Sequence, residues 1–394
     1  MTGRAAKPLR RDFLRTSFLR SGALLVGLDR FRYLLPEQKS SGDPFAGGKQ
    51  LGLLEFAGES STPTDLLFNE GLDARLYSDL TILTPEQPVT PIEKFYVRTR
   101  ASQQLPAAAS WTVKIAGLLE KPFSLPIDEL QKAAKPMDLH LMECSGNGRT
   151  TRFGLLSVAD WAGVPVSDVL EAHIKPRAGR VMFSGFDQYP GKSMTSIPGA
   201  DWIFTLDQLK ASKAFLATQM NGQSLTPDHG APVRLLVPGW YGCTCIKWLN
   251  GITFVGEDAE ATSQMQEFAV RTHQQGMPKL AKAYKPATMD QAAMPIRVEK
   301  WLIADKIKYR IVGILWGGSR PIKSLQIRFN PEEEYVPVDS FTQVVNDPWS
   351  FWYHAWTPAA LGTYLIRLRV GDPDVPTKRL DLGYYVRSVE ITDI

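Results

Sequence analysis

At 394 residues, with 44% hydrophobic and 22% charged side chains, the chain can bury two cores and is neither disordered nor fibrous in composition. A net charge of +4, part of it in a basic leader, gives no sign of a nucleic-acid surface. The three cysteines, Cys144, Cys243 and Cys245, make no disulfide framework, so the fold must stand on packing.

The leader comes first in chain order. Leu9-Arg10-Arg11-Asp12-Phe13-Leu14-Arg15 precedes an apolar stretch from Ser21 to Leu28, so residues 1–35 read as a twin-arginine export signal and predict a periplasmic protein. Arg20 and Asp29-Arg30 shorten the apolar region and no clear small-x-small cleavage site follows; the plainer reading is a basic amphipathic leader. No other segment approaches the roughly 20 apolar residues that cross a bilayer, and no membrane span is expected after export. Residues 36–65, with Ser40-Ser41-Gly42-Asp43-Pro44 and Gly47-Gly48, read as an extended spacer.

Residues 66–285 are expected to form a mixed α+β domain. From Lys94 to about Val255, short apolar runs (Phe95-Tyr96-Val97, Trp111 to Ile115, Val181-Met182-Phe183, Val233 to Val237) alternate with helix-like pieces at Ile127 to Ala134 and Val158 to Ala172. Residues 256–293, poor in strand formers, read as a connecting arm. Beyond Met294 the pattern turns to strands of period two, at Lys308 to Ile311, Leu325 to Phe329 and Tyr364 to Val370. An immunoglobulin-like β-sandwich over 294–394 is therefore expected.

Cys144 ends the alternating run Asp138-Leu139-His140-Leu141-Met142-Glu143 and begins the turn Ser145-Gly146-Asn147-Gly148-Arg149. A thiol at a strand's mouth with small neighbours suits a soft metal ligand approached by a bulky cofactor; a buried structural thiol is the other reading. Cys243-Thr244-Cys245 has no second pair to complete a zinc site, Gly146-Asn147-Gly148 lacks the third glycine of a dinucleotide loop, and the histidines form no His-Glu-x-x-His.

Four blocks in order carry a resemblance to a known family. Glu143 to Arg149, Met220-Asn221-Gly222-Gln223 through Pro227-Asp228-His229-Gly230-Ala231-Pro232-Val233-Arg234, Pro238-Gly239-Trp240-Tyr241-Gly242, and Lys247-Trp248-Leu249 resemble the sulfite oxidase group of molybdopterin-dependent oxidoreductases. The resemblance implies a molybdenum-molybdopterin cofactor with Cys144 as the protein's metal ligand. Cofactor-binding positions carried over from the family are Tyr96, Val97, Arg98, Thr99, Arg100, Asp187, His229, Arg234, Cys245, Ile246 and Lys247. Arg98 and Arg149 match arginines beside the metal, where they would draw in and stabilise an oxyanion. Two departures bear on substrate: Phe268 stands where the family has a tyrosine, and His354 where a third pocket arginine is expected.

The resemblance further implies oxygen-atom transfer to a small sulfur compound, a separate c-type cytochrome as electron acceptor, since no haem site is present, and a homodimer through the C-terminal sandwich. Reduction of a sulfoxide or another oxo-compound is the alternative within enzymes. A secreted, metal-free β-sandwich binding protein is the alternative outside them.

Overall fold

In the computed structural model, residues 43–59, 62–69, 71–170, 178–187, 199–341 and 348–394 are described. The leader and the first part of the spacer lie outside the described residues. Contacts divide the chain into Met1–Gly48 and a compact unit Lys49–Ile394, in which two cores form.

Two five-stranded sheets build the first core. In one, Leu156–Pro165 lies between Lys135–Glu143 and Phe215–Met220, and Gln223–Ser224 and Arg234–Leu236 both pair with the latter. The other runs Phe123–Pro126, Thr112–Gly117, Leu249–Val255, Arg180–Gly185, Asp201–Thr205, with a parallel pairing between Thr112–Gly117 and Leu249–Val255. Short helices join them. Ile127–Ala133 falls where the apolar spacing predicts it. Leu206–Ala211 starts at a reciprocal cap, in which Gln208 N–H donates to Thr205 Oγ1 at 3.0 Å and Thr205 N–H to Gln208 Oε1 at 2.9 Å.

Residues 158–172, expected to be helical, are mostly strand: Leu156–Pro165 is extended and only Val166–Leu170 is helical. The strand is buried on both faces, so its sequence has a continuous apolar run that cannot be told from a buried helix by periodicity. This double burial has a structural use. Ala159 and Trp161 pack in the first core while Leu156 and Val158 pack in the second, so one strand is shared by both.

The second core lies between two further sheets. One has the order Lys49–Leu54, Ala292–Ile303, Lys306–Trp316, Trp349–Trp356, Ser340–Phe341; the other Val336–Pro337, Leu325–Arg328, Gly362–Val370, Arg387–Ile391, Phe56–Ala57. Ile311 and Trp352 from the first and Ile366 and Val389 from the second are fully buried in one cluster. Gly313 sits beneath Trp352, whose ring lies 2.1 Å from where a Cβ would be, so any larger residue must displace the indole.

The C-terminal segment does not complete these sheets alone. Each takes an edge strand from residues 49–57, which the sequence places in a spacer. Leu51 and Leu53 remain exposed on that edge, so the segment is held by main-chain pairing and leaves no burial pattern to read. Arg387 reinforces the attachment, its buried guanidinium donating to both carboxylate oxygens of Glu59. Among the described residues no helix is long and apolar enough to cross a membrane.

Candidate active site

Cys144 stands one residue past the strand Lys135–Glu143, and the antiparallel ladder extends to it because its N–H donates to Leu155 O at 3.0 Å. The turn that follows is closed by Asn147. Its N–H donates to Cys144 O at 2.8 Å, and its Oδ1 accepts from Leu155 N–H at 3.1 Å. Gly146 N–H donates to Cys144 Sγ at 3.4 Å. The thiol is 7% exposed, yet it is not sealed in hydrocarbon. It lines a cleft with about 990 Å³ of empty space, counting the open mouth.

The same cleft collects residues from every block of the sequence pattern. Tyr96, Arg98, Thr99, Asp187, His229, Arg234, Cys245, Ile246 and Lys247 all line it with Cys144. Val97 and Arg100 do not: Val97 is buried and pairs with Leu76, and Arg100 is exposed. Long-range hydrogen bonds assemble the wall. Lys247 Nζ donates to Thr99 O and, at 2.9 Å, to Asp228 O, while Asp228 Oδ1 accepts from Ala101 N–H at 2.7 Å. These bonds fasten the 95–101 segment to the turn at Pro227–His229.

His229 occupies the cleft wall with both ring nitrogens engaged by protein. Its Nε2 lies 3.0 Å from Phe95 O, which can only accept, so Nε2 carries the hydrogen and Nδ1 accepts from Thr226 Oγ1 at 2.7 Å. Burial pushes the imidazole pKa down to about 4, with Lys247 and Arg234 pressing the same way. The sign of the pH effect follows. Between about pH 6.5 and 4 the unfolded chain takes up a proton that the folded one refuses, so this contribution is complete above pH 6.5 and is lost as pH falls. The expected loss is about 3 kcal/mol. Thermal unfolding from pH 7.5 to 4.5 should therefore be less pH-dependent in His229→Gln than in the wild type.

Arg234 and Lys247 set the charge of the floor. Arg234 is 4% exposed and spends Nη1 on His229 O at 2.9 Å and Nη2 on Cys245 O at 3.1 Å. Its Nε has no partner among the described residues, and no carboxylate acts on it. Burial lowers its pKa, and burial together with Arg234 lowers that of Lys247 to about 7. Asp228 and Asp187 partly offset the burial of Lys247, but Arg234 has no such counterion, and holding it away from water is costly unless an anion arrives. A phosphate-bearing cofactor fits this donor set, and Asp187 at the same cleft suits N–H groups of a pterin.

The profile of the oxidoreductase molybdopterin binding domain family matches residues 101–263, the stretch that holds Cys144 and most of this wall. Residues 101–263 belong to that family. Its cofactor is molybdenum-molybdopterin. Over 165 residues the chain is 34% identical to a nitrate reductase (NADPH) of Beauveria bassiana, covering 38% of this chain and 18% of that protein. Over 274 residues it is 26% identical to a nitrate reductase (NADH) of Ulva prolifera, covering 63% and 32%. The chain thus spans a third or less of these relatives. Among solved structures, the sulfane dehydrogenase SoxCD from Paracoccus pantotrophus shares the fold, with a TM-score of 0.61 over 90% of this chain and 96% of that one at 18% identity.

Two residues expected at the reacting centre stand elsewhere. Arg149 is exposed and donates from Nη2 to Val386 O at 2.6 Å, which turns it toward the C-terminal strand and away from the cleft. His354 is buried instead, because alternation along Trp349–Trp356 puts it on the same face as Trp352 and Trp356. There it stacks on Phe329 at 5.8 Å and lies 3.4 Å from Asp339 Oδ1. Phe268 does line the cleft, so no hydroxyl stands at that position.

Sequence reasoning missed other parts of the wall. Gln264 and Glu267 come from residues 256–293, read as a connecting arm in which only Phe268 was singled out. Asp228 lies within the matched block, and its position between Pro227 and His229 was the one available signal.

Proposed function

We propose that the chain is an exported molybdenum oxidoreductase that transfers an oxygen atom to a small sulfur compound and passes the electrons to a separate c-type cytochrome. One observation carries the reading: the Cys144 sulfur, at the end of a strand, opens into the cleft that also holds the buried cations Arg234, on which no carboxylate acts, and Lys247. When bound, the cofactor supplies two-electron oxygen-transfer chemistry at the metal. The protein's residues do the rest. Cys144 offers a thiolate, Arg234 and Lys247 hold negative charge, and the Tyr96 phenol, its pKa raised well above the ordinary value by burial, stays protonated as a donor.

A second reading is favoured by the nitrate reductases among the relatives: reduction of an oxo-compound at the same centre. Export rests on the Arg10-Arg11 leader, and assembly as a homodimer through the C-terminal sheets on the resemblance.

The deciding experiment uses full-length protein from a host that makes molybdopterin. About one molybdenum per chain and reduction of added cytochrome c by sulfite or thiosulfate support the first reading. Turnover only in the reductive direction, with sulfoxide or nitrate as oxidant, favours the second, and a metal-free protein removes both.

A further inference from the structure

We propose that Arg271, an exposed arginine whose guanidinium stands near Cys144 Sγ beside Gly146, is an anion subsite on the substrate's approach to that sulfur, and that it selects an oxyanion or an anionic sulfur compound. The proposal rests on the oxygen-transfer reading and adds to it a specificity-determining residue from outside the matched residues.

Position comes first. A Cβ built on Gly146 would lie 3.8 Å from Cys144 Sγ and 3.7 Å from Arg271 Nη1, so sulfur and guanidinium both border the space that the glycine leaves open. Arg271 lies with its guanidinium carbon 5.4 Å from the centre of the Phe268 ring, which lines the cleft. Among the described residues that guanidinium makes no hydrogen bond and no ion pair. It differs in this from Arg149, which is tied to Val386 O.

The second observation is how the Arg271 main chain is held. Arg379 Nη2 donates to Ser145 O and to Arg271 O, each at 2.9 Å. One nitrogen thus fastens the turn that carries the thiol to the segment that carries Arg271. The anchoring fixes where the exposed Arg271 side chain starts relative to the thiol's turn. Tyr384 completes the arrangement. Its hydroxyl donates to Asn147 O in the same turn and so holds that turn in place. Glu267 also lines the cleft and would oppose a dianion there, so a fork of N–H donors is needed to outweigh it. The phenol stands in a different place from the tyrosine lost at Phe268, and Arg271 supplies a cation that His354 does not.

The test uses the metal-loaded full chain with inorganic sulfate as probe, read by competition against the reducing substrate and by change in the visible absorption of the thiolate-bound metal. Arg271→Gln should weaken sulfate about tenfold or more, as expected for losing a charged hydrogen-bond donor, and Arg271→Lys should recover part of that. KM should rise more than kcat falls. A second readout needs no metal. In the cofactor-free full chain, the rate of Cys144 alkylation by iodoacetate relative to iodoacetamide, followed by peptide mass spectrometry, should drop several-fold in Arg271→Gln with the melting temperature unchanged. Equal sulfate affinity in wild type and Arg271→Gln overturns the proposal, and so does an unchanged alkylation ratio. A protein that never binds molybdenum overturns the oxygen-transfer reading instead, and the alkylation ratio alone then decides on Arg271.

Discussion

Cys144→Ser is expected to lose more than about a hundredfold in turnover, since even outer partners of a metal cost 10–100-fold and this thiol is the protein's own ligand in the proposed centre. The fold should survive. Serine is nearly isosteric, and the turn is closed by main-chain bonds and by Asn147 rather than by the sulfur. Metal analysis, turnover and circular dichroism on the same preparation check the expectation. Native-like spectra with a greatly reduced molybdenum content or turnover are the expected result. Full turnover with full metal content would mean that the sulfur is not a ligand.

The second large effect is expected at Arg379. This guanidinium lies 3.6 Å from the Glu143 carboxylate, over the Tyr241 ring at 4.4 Å, and is almost wholly buried. Glu143 also accepts from Trp316 Nε1 at 3.0 Å and from Tyr385 OH at 3.1 Å. Burial pushes the Glu143 carboxyl pKa up, while Arg379 and these donors draw it back. Burial alone would lower Arg379, but Glu143 and the surrounding tyrosines outweigh it and its pKa rises. We take the pair as charged, because arginine does not give up its proton and the carboxylate has three donors facing it. Arg379→Met leaves Glu143 charged and buried without its counterion, which should cost about 3–5 kcal/mol in urea unfolding of the full chain. The variant should also free the Ser145 and Arg271 carbonyls. Cys144 in the cofactor-free protein should then react faster with neutral iodoacetamide. Unchanged stability and unchanged thiol reactivity would show that the pair does not hold the turn.

The cofactor-binding blocks were legible because each is a local device. The Cys144 to Asn147 turn and the Pro227–His229 turn close through hydrogen bonds a few residues apart, and the chemistry of the ligand fixes which side chains they must carry. Arg234, carried over from the resemblance, is buried at the cleft in the strand Arg234–Leu236 rather than on a surface-facing edge. Arg149 and His354 read wrongly as pocket residues because their directions depend on strands elsewhere: Val386 captures the first, and the buried face of Trp349–Trp356 captures the second.

By itself, the sequence determined a thiol at a strand's mouth and the strands beyond Met294, which follow from short-range alternation, turn chemistry and residue type. The class of cofactor came from the resemblance carried by the four spaced blocks. Only the tertiary structure decided which cations stand near the thiol, and that residues 49–57 supply an edge to both C-terminal sheets. The contacts that settle those points join Arg379 to Ser145 across 234 positions and to Arg271 across 108. Periodicity carries information over a turn or two, whereas charge pairing and main-chain hydrogen bonds are satisfied wherever folding brings the groups together.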